Sequence, residues 1–557
     1  MRITSIFYVI VLLSLYSTII NAAPATSAVP TLEKRQETEQ DPDFNTNIFK
    51  SFKPLEVTAS PITREYTLTL AKTELAPDGF SRQVWTSNGQ YPGPMIRANK
   101  GDQIVIHVQN NLGDFTTIHW HGIFQRGTTF YDGVAGQTQC LIATGTTFTY
   151  NFTAGEQYGT YWWHSHFRSQ YVDGLRAPQG SKCVPDNPLA VYVIEKGKRY
   201  RFRVINTSAE APFTFSIDQH PLRIIEVEGE NVKPITMNKI NIAVGQRYSV
   251  IVNADKEVDN FWIRATIVKQ CIHVTPETIN VNSSLNYKVT GILRYNGAPE
   301  TYPTTQEWDE KILNCRDVDH NLLKLNPPRS PPVTPTDNFT LKITFDHIND
   351  VVHALVNGSP FNPEIYDPTA NKLMYGGDET PSMLDKDQNA FVYDTQNGSV
   401  EISLINDNIA THPFHLHGHN FYIMAHGPGK VPDPSIFNLV DPAVRDTITV
   451  AGKSWAVIRY NIDNPGVWAF HCHIEWHVEM GMVGQLIERP SELKGDPIPP
   501  QVRSICPPDD DDDDDKKDNN NTAKKRSLKA YKNYYKRSDV PNHSHHVKYQ
   551  FIRGSAY

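Results

Sequence analysis

The stretch His471-Cys472-His473-Ile474-Glu475-Trp476-His477-Val478-Glu479-Met480-Gly481-Met482 decides how this chain is read. It follows the aromatic and β-branched run Trp455 to Phe470, whose composition predicts strands. On a strand, successive side chains face opposite ways. Cys472 therefore points to one face, and His471 and His473 point together to the other. A thiolate flanked in sequence by two imidazoles, but separated from them by the sheet, suits two different metal centres joined by one residue. Cys472, with the second imidazole of His477 and the thioether of Met482, has the ligand types of a blue-copper electron-transfer site.

Three more His-x-His pairs answer this string: His119-Trp120-His121, His164-Ser165-His166 and His415-Leu416-His417. Both imidazoles of each pair share a face. His412 lies three residues before His415, which puts it on the opposite face. Parity thus sorts the ligands into two sets. His412, Cys472 and His477 form one, and the eight His of the four pairs form the other. Imidazole and thiolate together select copper or zinc.

With these motifs present in order, the chain resembles the multicopper oxidases, the family of laccases, ascorbate oxidases and ferroxidases, over residues 55–506. The resemblance implies four coppers. His412, Cys472 and His477 would hold the type 1 copper, with Met482, ten positions after the cysteine, as its axial ligand. His119 and His415 would hold the type 2 copper. His121, His164, His166, His417, His471 and His473 would hold the type 3 pair. Electrons from a reductant would pass through Cys472 to the cluster, and four such transfers would reduce dioxygen to water. Asp132, in Tyr131-Asp132-Gly133, and Glu475 match the family's acids beside the cluster and are expected to supply protons. Many laccases have Leu or Phe at the axial position, whereas ascorbate oxidases have Met, so a moderate potential is expected. His107, His220, His347, His419 and His426 have no partner pattern and are read as structural.

The reductant is less sharply marked. Ferroxidases of the family keep a carboxylate in the loop before the third motif, here Asn406-Asp407-Asn408-Ile409-Ala410-Thr411. Asp407 is one residue off that place. A laccase-like or ascorbate-oxidase-like enzyme acting on phenols, ascorbate or similar small reductants therefore fits better than a ferroxidase. An inactive copper-binding shell is the remaining reading.

The 557 residues lead to an expectation of about three domains. A hydrophobic content of 39% and a net charge of −8 describe an ordinary soluble protein and make no case for nucleic-acid binding. A monomer is expected. Arg2, the apolar run Ile6 to Leu15 and the small residues Ala22 and Ala23 read as a secretory signal peptide, residues 1–23. The run is too short for a good membrane span, so a secreted, extracellular protein without a membrane anchor is expected, with cell-wall association as a further option. Residues 24–54 read as an N-terminal extension in which Lys34-Arg35 is either a dibasic processing site or a chance basic pair. Sequons at Asn151, Asn206, Asn282, Asn338, Asn357 and Asn397 fit a glycoprotein.

Six cysteines are present, and Cys472 is committed to copper. The resemblance to laccases pairs Cys140 with Cys506. Cys271 with Cys315 is a plausible second bridge, and Cys183 is left over.

From Thr58 short apolar runs alternate with Gly/Pro turns, an all-β pattern. The strand Gly101 to Asn110 recurs as Gly197 to Asn206 and as Gly398 to Asn406. A second element, Tyr161-Trp-Trp-His164-Ser165-His166, recurs as Trp262-Ile-Arg-Ala265-Thr266-Ile267 and as Trp468-Ala-Phe-His471-Cys472-His473. Three tandem β-sandwich units follow, which the resemblance makes cupredoxin-like: residues 55–176, 177–326 and 327–506. The middle unit lacks ligand residues and reads as a copper-free spacer, with the cluster between units one and three. That unit has only Ala177 to Asn187 where the others have a lead-in of strands, so it reads as truncated at its start. Either the written chain lacks a coding segment or the unit is naturally compact. Residues 507–557, with the acidic run Asp509 to Asp515, read as a disordered charged tail, and His543, His545 and His546 as part of it.

Overall fold

The structure is a computed structural model. It describes residues 9–14, 34–36, 48–49 and 60–506, apart from 77–80, 175–187, 273–287, 312–314, 376–383, 385, 430–433 and 496–497. Cys183, the sequon at Asn282, the junction 177–187 and the tail 507–557 with its three histidines lie outside the described residues, as does the segment read as a signal peptide except for Val9–Ser14.

The described residues form an all-β protein with short helical turns. Each unit carries the repeat strand read from the sequence, and alternation of buried and partly exposed residues along Gln103–Asn111 shows why: one face packs inward, the other outward. In unit one this strand lies between Thr63–Leu75, which is parallel to it, and Thr146–Thr153, which is antiparallel. In unit three Ser399–Asn406 lies parallel to Asp337–Ile348 and antiparallel to Ser454–Asn461. In both units the parallel neighbour is the long arm of a hairpin, closed by Arg82–Ser87 and by Val351–Val356. In unit two the place beside Arg199–Asn206 is filled instead by Val9–Ser14, antiparallel.

Strand register corrects one alignment read from the sequence. Asn260–Ile267 pairs with Phe213–Ile217 so that Ala265 faces Phe215. In unit three Cys472 faces Phe414. Asp218 N–H donates to the Trp262 carbonyl where His417 N–H donates to that of Ala469, so Ala265 stands at the place of Cys472 and Arg264, not Ala265, at the place of His471. The matched tryptophans suggested a spacing one residue different, because pairing across the sheet, not the position of an aromatic, defines equivalence. Unit two fills its counterpart of the ligand layer with an ion pair: Arg264 donates to Asp218 at 2.8 and 2.7 Å.

The units do not have separate cores. Unit one's apolar cluster takes in Val467, Ile487 and Val502 from unit three, and units two and three share another that joins Phe213 and Phe215 to Phe414 and Leu404. Disulfides Cys140–Cys506 and Cys271–Cys315 are formed, and the first ties unit one to the end of unit three across 366 residues.

Candidate metal centre

The strand His412–Leu416 is buried throughout and lies between Gly466–Cys472 and Thr447–Val450. Its register sets His415 opposite His471 and Phe414 opposite Cys472, so the parity read from the sequence becomes two faces of one sheet. In unit one the two-stranded ribbon Ile118–His121 with Trp162–Ser165 sets His119 opposite His164. Gly133 lets the Asp132 turn close on this ribbon. At φ +85° it needs no side chain, and a Cβ there would lie 1.8 Å from the Ile118 carbonyl oxygen.

On one face, Cys472 Sγ lies 3.4 Å from His477 Nδ1 and 3.6 Å from His412 Nδ1, and the two Nδ1 atoms are 3.0 Å apart. The Ile474 N–H points at Sγ from 3.4 Å. Phe345 covers the group, its ring stacked with that of His412 and edge-on to that of His477. Met482 is fully buried in the same apolar cluster, and its backbone is pinned by Cys472 N–H to Met482 O, 3.2 Å, and Met482 N–H to His477 O, 2.9 Å.

On the other face the eight remaining imidazoles fall into groups whose ligand atoms lie within 4.8 Å of one another: His119, His121 and His415; His121, His164 and His473; His166, His417 and His471. All the sequence-predicted histidines are thus brought together, three residues in the sulfur-bearing group and eight imidazoles on the other face, with His121 shared by two of the imidazole groups.

Whether a cation fits is a question of lone pairs. The Nδ1 atoms of His119, His164, His415 and His471 lie 2.8, 2.8, 3.0 and 2.9 Å from the carbonyl oxygens of Asp132, Ser165, Asp446 and Cys472. A carbonyl only accepts, so each Nδ1 carries the proton and each Nε2 is a bare lone pair. The Nε2 atoms of His119, His164 and His415 are buried with no hydrogen-bond partner among the described residues. Burial, and the charges the other imidazoles would carry, push His121, His164, His166, His417 and His473 well below the ordinary value. His471 is pushed to about 3 and His415 is also lowered, burial leading in both. These imidazoles are neutral donors whose convergent lone pairs a bound cation would satisfy. Burial, with the charge of Glu210, raises the Cys472 thiol, so the thiolate needs a cation beside it. Two imidazoles and a thiolate on one side and an all-imidazole set on the other fit copper.

Asp132 is fully buried. Its Oδ2 accepts the Nδ1–H of His417 at 2.7 Å, and its carbonyl accepts that of His119. Glu475 is buried at the start of the turn Glu475–Glu479, and its N–H donates to the Ala209 carbonyl of unit two. Sequence reading missed Asp446. Its Oδ1 lies 3.5 Å from His415 Nδ1 and 3.7 Å from His121 Nε2. No motif pointed to it, because it follows Arg445 in an unremarkable run and meets the imidazoles only through pairing across the sheet. The structural histidines have other partners: His107 with Glu65 and Thr149, His220 with Asp218 O and the Tyr295 hydroxyl, His419 with Glu488. His426 meets His320 edge-on, and His347 is exposed.

Family models described as multicopper oxidase match residues 69–179, 162–298 and 358–492. Laccase-5 of Trametes versicolor is 34% identical over 509 residues, 79% of this chain and 92% of that one. Laccase-1 of Cryptococcus neoformans var. neoformans is 30% identical over 83% of this chain and 86% of its own. Among solved structures, the laccase of Botrytis aclada superposes with a TM-score of 0.74 at 28% identity, covering 88% of this chain and 95% of that one. Fet3p, described as a multicopper oxidase that functions in iron import, superposes with a TM-score of 0.72 at 28% identity, covering 80% and 94%. With three matching segments, laccase relatives over most of its length and a site whose donors suit copper, the chain belongs to the multicopper oxidase family and is a copper-dependent oxidoreductase of the laccase type.

Proposed function

We propose that this is a secreted, monomeric enzyme that couples four one-electron oxidations of a small phenolic or ascorbate-like reductant to the reduction of dioxygen to two waters. In this reading His412, Cys472, His477 and Met482 would hold a type 1 copper. His119 and His415 would hold a type 2 copper, and the groups His121/His164/His473 and His166/His417/His471 would hold a type 3 pair. The observation that carries the reading is the double use of one tripeptide. Cys472 belongs to the sulfur-bearing group, while the residues bonded to it, His471 and His473, belong to two different imidazole groups.

When bound, copper supplies the one-electron redox steps. The chain's residues do the rest. The backbone of Cys472 joins its sulfur to His471 and His473, and the His471 Nδ1–H donating to the Cys472 carbonyl adds a second link beside the peptide bond. Burial of the imidazoles keeps bulk water from them. Asp132, held on His417, and Glu475 are assigned the delivery of protons to reduced dioxygen. His477, only partly buried where His412 and Cys472 are fully so, is the place at which a reductant meets the protein.

Likeness to Fet3p favours ferrous iron as a second reading. Against it, Asp407 is held between the ammonium groups of Lys342 and Lys453, at 3.0 and 2.9 Å, which oppose a cation there. Dioxygen uptake decides the matter, run side by side with a diphenol, ascorbate and ferrous iron. Uptake with a diphenol or ascorbate is expected. Uptake with ferrous iron alone would overturn the substrate class, and no uptake by a blue, fully metallated protein would leave an inactive shell.

A further inference from the structure

Unit two contributes no imidazole to any of the groups above, yet one of its loops lies against them. Gly245 has φ +82°, and a Cβ there would lie 2.8 Å from a carbon of the His473 ring and 3.1 Å from one of the His121 ring. Two residues on, Arg247 is fully buried. Its Nη1 and Nη2 donate to Oδ1 and Oδ2 of Asp446 at 2.7 and 2.6 Å. Its Nε donates to the Thr160 carbonyl at 3.0 Å, and Nη1 also to the Gly245 carbonyl at 3.2 Å. One guanidinium therefore fastens a backbone group of unit one, its own loop in unit two and a carboxylate of unit three.

That carboxylate stands behind His415 and His121, whose rings are stacked with centroids 3.7 Å apart and planes 9° from parallel. Further bonds hold Asp446 in place: the Thr447 hydroxyl donates to Oδ1 at 2.8 Å, and the N–H groups of Asp446 and Thr447 donate to Glu228 of unit two at 2.9 and 3.0 Å. There is little slack, since a Cβ on Gly122 would meet Arg247 Nη2 at 2.5 Å and Asp446 Oδ2 at 3.1 Å.

We propose that Arg247 is a positioning residue for the copper cluster: by clamping Asp446 it fixes the planes of His121 and His415, so that the ligand-free middle unit governs copper occupancy on that side. The proposal rests on the copper assignment above. A carboxylate behind a ligating imidazole sets its orientation, and its loss costs metal affinity. A bidentate guanidinium gives the carboxylate a fixed direction that an ammonium does not.

The test uses the full-length, copper-loaded protein and the variants Arg247→Lys, Arg247→Met and Asp446→Asn. Each is titrated with a copper chelator while the blue absorbance, the non-blue type 2 electron paramagnetic resonance signal and copper per chain are followed, with a thermal melt of each copper-free form. In Arg247→Met and Asp446→Asn the type 2 signal should be lost at chelator levels about 10–100-fold lower than in wild type. The blue band should hold, because His412, Cys472 and His477 lie outside the clamp. Arg247→Lys should shift the same way by less, with the melt of the wild type, and it decides the matter if the methionine variant does not fold. Unchanged titrations in a folded variant, or joint loss of both signals with a lowered melt, would overturn the proposal and leave a structural ion pair. A wild type that binds no copper would overturn the copper assignment, and the proposal with it.

Discussion

The Nε2 atoms of His417 and His471 face each other at 3.0 Å, and neither carries a proton. His417 gives its Nδ1–H to Asp132 and His471 gives its own to the Cys472 carbonyl, so the facing atoms are both lone pairs. Two lone pairs at that distance repel unless a cation lies between or beside them. The Nδ1 atoms of His412 and His477 also lie 3.0 Å apart, next to Cys472 Sγ.

Removing the metal should therefore cost stability as well as activity. Chelated protein should melt below the copper-loaded form, and copper in about 100-fold excess over its dissociation constant should restore about 2.7 kcal/mol per independent site. Cys472→Ser should bleach the blue colour and abolish oxidation of the reductant. A colourless, fully metallated wild type would remove the sulfur-bearing site from the account.

Asp132→Asn and Glu475→Gln should keep the blue band and slow dioxygen reduction by about 10²–10⁴-fold, the usual contribution of a general acid. Asp132 touches His417 and His119 and no member of the sulfur-bearing group. Stopped-flow reoxidation of reduced enzyme measures this. Loss of the blue band with normal reoxidation would reverse the two roles.

Met482→Leu should raise the potential of the blue site in a redox titration. A thioether donates weakly to copper and favours the oxidised ion. Met482 is buried beside Cys472, with its backbone bonded to both Cys472 and His477. An unchanged or lower potential would make Met482 a core side chain and nothing more.

Asp317 links units two and three, accepting from Gln246 at 2.7 Å, from the Thr449 N–H at 2.9 Å and from His320 at 3.2 Å, with Arg445 at 3.5 Å. Burial alone would raise its carboxyl, but Arg445 and His320 outweigh that and hold it well below the usual range. A depressed folded value means stability that is complete above the unfolded value, about pH 4, and is lost as the pH falls further. Asp317→Asn should cost about 3 kcal/mol at neutral pH, and the gap to wild type in denaturant melts should narrow below about pH 4.

Beside Arg199–Asn206, units one and three would have a hairpin, and here the place is taken by Val9–Ser14 from the segment read as a leader. A transcript read across codons 177–187 should carry additional in-frame sequence that supplies those strands. A complete cDNA that matches the chain as written and yields active enzyme would refute this.

The local sequence determined which residues face together. A strand has period two, so His-x-His pairs and the offset of Cys472 and His412 were readable residue by residue, and with them the division into two centres and the all-β class. What lay beyond reach depends on pairings between distant segments. The register that puts Arg264 rather than Ala265 at the place of His471 is set by hydrogen bonding across a sheet. The contact of Arg247 with Asp446 joins residues 199 positions apart in different units. Burial of Glu475 under Ala209, and the meeting of lone pairs at 3.0 Å, likewise exist only once three sandwiches close on one another. Periodicity is written into each strand, whereas the direction of a buried carboxylate and the tautomer of an imidazole are imposed by whatever tertiary packing places opposite them.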